Sequence, residues 1–441
     1  MAEISNIEKQ IGEIEGKARV LSGYQLKFVA LIAFTWSLFQ LWYASPLPFL
    51  LGFGVLIDLP ARSIHLGFAL FLVFLAYPCF KKDREKKFNY FSFFLAFLGL
   101  LTTFYISFSY QGLVDRNGIL LWYNLSLFGF NFSFPIELIL GLVGISLLLE
   151  ATRRSIGLPL VIVAIIFYLY SFFGQVMPEI ISHQGLSFNR LVGYHWFSSE
   201  AIFGIPISVS VSFVFLFVLF GSMLDYAGGG RYFLNLAIAL VGHLRGGPAK
   251  ASILASGLTG MVSGSSIANV VTTGTFTIPL MKKTGFSSEK AGAIEVASST
   301  NGQLTPPVMG AAAFLISEFT DVSYFDLIKY AALPALASYV ALFYIVHLEV
   351  IKLGLKGLKR NTPARSFLNK FTSFIFGFTA LGSIGFIINF LFSWTNNFSS
   401  TFTFLLAISL FLILYLFCIW IASKKPDLEI GLTDEEINNL P

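Results

Sequence analysis

Charge is what this chain has least of. Asp, Glu, Lys and Arg make up 12% of its 441 residues, and apolar residues make up 56%. A soluble domain of ordinary composition carries about 25% charged residues, so a single soluble globular domain is excluded. The apolar runs do not alternate as barrel strands would. They are of helical length, near the roughly 20 residues that cross a bilayer. Cysteine is nearly absent: Cys79 and Cys418 both lie in apolar runs, carry no metal-ligand spacing and read as packing residues. His65, His183, His195 and His243 fall in loops or at span ends, again without ligand spacing. No phosphate loop or Ser-His-Asp set is present, so no catalytic residue and no cofactor is assigned and an enzyme is not expected. The first 25 residues show no cleavable signal pattern and read as a short polar helix. The net charge of +5 comes from Lys and Arg gathered in short loops, which sets topology in the bilayer rather than binding nucleic acid.

What is present is an all-α polytopic membrane protein with about ten transmembrane segments. Spans are expected near 27–45, 64–80, 89–110, 135–151, 157–175 and 202–225, with a loop holding Asp58, Pro60 and Arg62 after the first. KKDREKK (81–87) is the strongest basic cluster and is placed in the cytoplasm, which puts the N-terminus there too. Residues 111–134 are expected to be external, with an apolar middle that dips toward the interface. An amphipathic helix over 231–246 follows the sixth span. Farther on, a span over 324–348 returns to a basic loop, two plain spans cover 371–392 and 401–422, and a cytoplasmic tail ends the chain.

Residues 248–307 are different in kind. They are apolar enough for a membrane, yet Gly, Ser, Thr and Asn are grouped in two places, Ser263–Asn269 and Ser298–Pro307. Irregular backbone at membrane depth is tolerated only where protein buries it or a watery cavity receives it. Paired interrupted segments point to a transporter's binding site. Lys250 and Lys282-Lys283 flank an interval too short for two full spans, so 248–281 reads as a re-entrant hairpin with Ser263–Asn269 at its tip. Residues 286–319 read as one helix broken at 300–307, with Asn301-Gly302 as a stop and Pro306-Pro307 as a restart. Helix N-termini there would attract an anion, and unwound carbonyls with Ser, Thr and Asn oxygens would replace the hydration shell of a small cation. The plain alternative is that small residues merely let helices pack closely. Ionisable residues inside spans are Glu137, Asp225, Glu295 and Glu318. Glu137 and Glu318 are expected to be solvated, Asp225 to cap a turn, and Glu295 to form a structural ion pair with Lys290.

The stretches GHLRGGPAKASILASGLTGMVSGSSIANVVTTGTFTIPLMKKTGF (242–286) and ASSTNGQLTPPVMGAAAFLI (297–316) closely resemble the large membrane subunit of TRAP transporters, the tripartite ATP-independent periplasmic transporters. Within them the chain looks most like the TAXI type, whose small and large membrane subunits are fused. The resemblance is strongest over 135–350. It implies a small-subunit-like scaffold over 1–133 and a first repeat of the transport module over 134–350. That repeat holds the hairpin 248–281 and the broken helix 286–319, and plain helices with a tail follow over 351–441.

The resemblance also implies an elevator-type secondary transporter in the bacterial inner membrane. It would import small organic carboxylates delivered by a periplasmic solute-binding protein, coupled to sodium or to protons. Matched onto this sequence, the ion site would be Ser263, Gly264, Ser265, Ser266, Asn269, Thr300, Asn301 and Gly302. The substrate site would be Asn269, Thr273, Thr305, Pro306 and Pro307. The family carries two inverted repeats and this chain shows one hairpin set. The expectation is therefore one half of such a carrier, whose second half is supplied in cis or in trans. A non-transporting membrane scaffold or assembly partner, and another sodium-coupled anion carrier, are the alternatives.

Overall fold

The computed structural model describes residues 18–357 apart from 20, 22, 81–89, 117–118 and 128–129, together with isolated positions between 379 and 416. The basic loop 81–87, most of the expected spans 371–392 and 401–422, Cys418 and the two chain ends lie outside the described residues.

The helices are α1 (Gly23–Ala44), α2 (Leu47–Leu51), α3 (Asp58–Ala76), α4 (Tyr90–Phe108), α5 (Tyr110–Asp115), α6 (Ile136–Ser155), α7 (Leu158–Phe173), α8 (Phe188–Phe197), α9 (Ile205–Val209) and α10 (Phe215–Tyr226). They continue with α11 (Gly229–Val241), α12 (Gly247–Ser263), α13 (Ser266–Lys283), α14 (Ser288–Gly302), α15 (Ala311–Thr320) and α16 (Tyr324–Lys352). Among the described residues, six helical stretches are long and apolar enough to cross a membrane: Gly23–Ala44, Asp58–Ala76, Tyr90–Phe108, Leu158–Val176, Ile205–Leu224 and Tyr324–Lys352. The chain is thus a helical, multi-pass membrane protein. Its described residues divide into two compact units, one taking in those up to Pro48, Gly52–Met223 and Val308–Tyr330, the other Phe49–Leu51, Leu224–Pro307 and those from Ala331 on.

Two features depart from the all-α expectation. Tyr123–Leu127 and Phe130–Phe134 form an antiparallel β-hairpin, with Tyr123 opposite Phe134 and Leu127 opposite Phe130, where a dipping apolar piece is expected. The strings YNLSL and FNFSF alternate apolar and polar residues with period two, the pattern of a strand and not of a helix. Asp58, Pro60 and Arg62 are not a loop either. They open α3, with Pro60 in its first turn, where proline gives up no intrahelical hydrogen bond. His65 therefore sits buried inside a helix and not at a span end.

In the first unit, the core is built where small residues let helices approach. A Cβ added at Gly144 of α6 would stand 2.1 Å from the Trp196 ring of α8, and one at Gly141 2.4 Å from Val192. Trp196, Val192, Phe74 and Phe203 are fully buried in this cluster. Its polar members are paired. His65 Nδ1 accepts from Trp36 Nε1 at 3.2 Å and contacts Gln40 Nε2, which assigns the proton to Nε2, 3.0 Å from Ser210 Oγ. Ser210 opens a one-turn π-helix, Ser210–Val214. Glu137 is not solvated: it is fully buried, pairs with Arg116, and accepts from Tyr105 Oη at 2.8 Å and Leu121 N at 2.5 Å. Glu318, by contrast, is exposed.

The glycine at 144 makes a direct test. Forcing a methyl against the buried Trp196 ring is an overpacking change, which costs about 1–3 kcal/mol. Gly144→Ala is expected to lower the thermal unfolding midpoint of the purified chain by at least about 2 °C. An unchanged midpoint would show that α6 and α8 do not meet at this position.

Candidate functional site

The second unit contains the stretch 248–307. Its entry is fixed by Gly246, in the left-handed region at φ 64°, with Pro248 in the first turn of α12. α12 ends at Ser263, and Gly264 turns the chain at φ 61°, its N–H bonding back to Gly260 O at 3.1 Å. Ser265 then caps α13, its hydroxyl accepting from Ala268 N at 3.3 Å. The expected hairpin is therefore two helices joined by Gly264 and Ser265. The expected broken helix is α14, an irregular stretch 303–310, and α15.

The hairpin meets α14 at two glycines. A Cβ on Gly260 would lie 2.5 Å from Gly302 Cα and 3.2 Å from Asn269 Nδ2, and one on Gly302 would lie 2.9 Å from Gly260 Cα. The backbones of α12 and α14 touch here, with the Asn269 amide packed on both. Asn269 is fully buried and donates from Nδ2 to Ser256 O at 2.8 Å, while its Oδ1 has no partner among the described residues. Thr259 Oγ1 is likewise buried with no partner among them. A sealed, unpaired oxygen costs about 1–3 kcal/mol.

Other residues of the sequence-derived ion and substrate sets lie as follows. Ser263 Oγ lies 3.5 Å from Ser265 O. Ser266 Oγ accepts from Gln303 Nε2 at 3.0 Å, tying the tip to the end of α14. Thr300 is exposed and bonds its own helix at Val296 O, 2.8 Å away. Asn301 Oδ1 accepts from Ser338 Oγ of α16 at 2.9 Å. Thr305 donates to Asn301 O at 2.9 Å and lines a largely apolar cavity of ≈ 590 Å³ with Gly257, Met261 and Tyr339. Pro306 is half-buried and Pro307 exposed. Thr273 is buried and belongs to a different cluster, described next.

That cluster surrounds Glu295, which is fully buried on α14. Ser252 and Thr277 donate to Oε2, both at 2.6 Å. Ser256 donates to Oε1 at 2.9 Å, Ser299 at 3.3 Å, and Thr273 donates to it as well. The expected partner Lys290 instead pairs with Glu349 of α16. The reason is geometric. Positions five apart fall about 140° around a helix of 3.6 residues per turn, so residues 290 and 295 do not share a face. An ionised carboxylate taken out of water costs several kcal/mol. A hydrogen bond to a charged group contributes about 1.5–3 kcal/mol, so several donors are needed to hold it, and the pocket has a hydroxyl from each of five side chains.

Sequence reasoning passed over Ser252, Ser256, Thr259 and Thr277. A signal for the cluster is present in the sequence: three helices each carry an i, i+4 polar pair, Ser252/Ser256, Thr273/Thr277 and Glu295/Ser299. Such spacing puts both members on one helix face.

Gly260→Ala and Gly302→Ala are each expected to cost about 1–3 kcal/mol, because either methyl drives α12 from α14. The double variant should cost less than the sum, since both disturb one contact. Full additivity in thermal unfolding would contradict that contact.

Residues 143–429 match the family model of the tripartite ATP-independent periplasmic transporter, DctM component. The uncharacterized protein YgiK of Salmonella typhimurium is 43% identical over 91 residues, 21% of each chain. The C4-dicarboxylate TRAP transporter large permease protein DctM of Rhodobacter capsulatus is 37% identical over 91 residues, also 21% of each. The sialic acid TRAP transporter large permease protein SiaM of Vibrio cholerae is 28% identical over 169 residues, 38% of this chain and 39% of the relative. The alignments thus span about a fifth to two fifths of these relatives' length. With the family model covering residues 143–429, the chain belongs to the DctM-component family of tripartite ATP-independent periplasmic transporters.

Proposed function

We propose that this chain is a permease component of an ion-coupled TRAP transporter that imports small organic carboxylates across the bacterial inner membrane. A periplasmic solute-binding protein delivers the substrate. On this reading the chain is of the fused TAXI type, with 1–133 as the small-subunit-like scaffold, 134–350 as the first repeat of the transport module, and both ends cytoplasmic. Relatives named for C4-dicarboxylate, ectoine and sialic acid support the substrate class, because each of those solutes carries a carboxylate.

The observation that carries the proposal is the meeting of hairpin and broken helix at Gly260, Asn269 and Gly302, with Asn269 Oδ1 sealed and unpaired. Asn269 Oδ1 and the backbone around Gly264 supply hard oxygen ligands of the kind a small cation takes. Ser263, Ser265, Ser266, Thr300, Asn301 and Gly302 complete the proposed ion site. The N-terminal end of α13 favours an anion beside it, and Asn269, Thr273, Thr305, Pro306 and Pro307 stand as the substrate set. A cation bound at the tip would draw the carboxylate and neutralise its charge, which couples the two.

Uptake by the complete transporter, with sodium and pH gradients imposed separately, tests this assignment. Asn269→Ala is expected to cut uptake at least about tenfold, the effect of 1.4 kcal/mol. Ser265→Ala and Asn301→Ala are expected to raise the ion concentration for half-maximal uptake. Unchanged ion dependence in all three variants would remove the hairpin tip from the ion site.

A further inference from the structure

We propose that Glu295 is a proton-binding site, taking up and releasing a proton inside its cage of hydroxyls. The proposal rests on hydrogen-bond geometry, and on the transporter reading only for what the proton is used for.

The cage admits a proton and nothing larger. Ser252 and Thr277 stand 2.6 Å from Oε2, and Ser256 stands 2.9 Å from Oε1. These are direct O–H···O spacings, with no room for a metal ion between the oxygens. The helices packed around the carboxylate bring no cation to it. Lys250 of α12 is 3.1 Å from His347 Nδ1, and Lys290 of α14 pairs with Glu349 of α16. Lys282 and Lys283 lie exposed at the end of α13, and Glu289 is exposed at the start of α14. Tyr339 of α16 donates its hydroxyl to Ser298 O at 3.1 Å. Among the described residues, Glu295 is therefore answered by hydroxyls alone.

Hydroxyls suit both protonation states. Each has one hydrogen to give and lone pairs to receive. Around the carboxylate, all five turn their hydrogens inward. Around the acid, Thr273 and Thr277 have second acceptors at hand, Asn269 O at 2.8 Å and Thr273 O at 3.0 Å. A hydroxyl that turns to its backbone acceptor frees a lone pair for the new O–H of Glu295. A lysine or arginine partner would stabilise only the ionised form. The contacts of Ser256 with Thr273 at 3.1 Å and with Ser299 at 3.3 Å link hydroxyl to hydroxyl and provide a relay within the cage. The step is simple in its balance: a proton from water adds to one carboxylate oxygen, the group becomes neutral, and release reverses it with no change of oxidation state.

Infrared difference spectroscopy of the full chain in lipid, with pH stepped and no substrate present, reads the site. The expected result is a pH-dependent carboxylic acid C=O band that Glu295→Gln abolishes and Glu295→Asp keeps at a shifted frequency. A wild-type spectrum identical to that of Glu295→Gln would overturn the proposal. Should Glu295→Gln fail to fold, Ser252→Ala with Thr277→Ala leaves the carboxyl in place while removing both Oε2 donors. The band must then move, and an unmoved band overturns the proposal equally. Because no substrate or partner enters the measurement, its outcome is independent of whether the chain transports carboxylates.

Discussion

A fully buried carboxyl group is the constraint around which the second unit is arranged. Glu295 sits fully buried on α14, and the hydroxyls that hold it come from α12, α13 and α14 itself. Removing that charge from solvent is affordable only if donors converge on both oxygens. Convergence requires three helices to approach closely along matched faces. The small residues of 248–307 meet that requirement: Gly260 and Gly302 allow backbone contact, and Gly274 packs against the Glu295 side chain, where a Cβ would lie 3.1 Å from its Cγ. The grouped Ser, Thr and Gly residues thus serve packing and polarity together.

The tip and the cage are two different polar environments, joined by the buried edge of α13. Asn269 touches both: its amide donates to Ser256 O, and Ser256 in turn donates to Glu295. An event at the tip that moved Asn269 would be felt at the carboxylate within one residue. The reverse holds as well, since energetic coupling between two sites is reciprocal. Asn269 and Ser256 thus form a short hydrogen-bonded link between the hairpin tip and Glu295.

Much of this arrangement is legible in the sequence, and what is hidden has identifiable causes. The hairpin and the broken helix show because Gly264 and Gly302 sit beside serine and threonine groups inside apolar runs, and local backbone chemistry decides such stops. The direction of buried side chains is less visible. Glu295 has Lys290 nearby in sequence, yet helix geometry turns them apart and Lys290 finds Glu349, 59 residues away. Glu137 lies close to a surface when only span ends are counted, but Arg116 at the end of α5 and the backbone of Leu121 come to it. The β-hairpin was written in a period-two pattern that a search for spans passes over. In each case the missing information is which distant element approaches, and that is a property of packing and not of neighbouring residues.

The Glu295 cage, and not an ion pair, fastens the hairpin to α14. A double-mutant cycle on unfolding free energy in a bilayer mimetic tests it most directly. Ser252→Ala with Glu295→Gln should show a coupling of about 0.5–3 kcal/mol, and Lys290→Ala with Glu295→Gln should be additive within about 0.5 kcal/mol. The opposite pattern, additivity for Ser252 and coupling for Lys290, would show that an ion pair and not the cage holds the helices together.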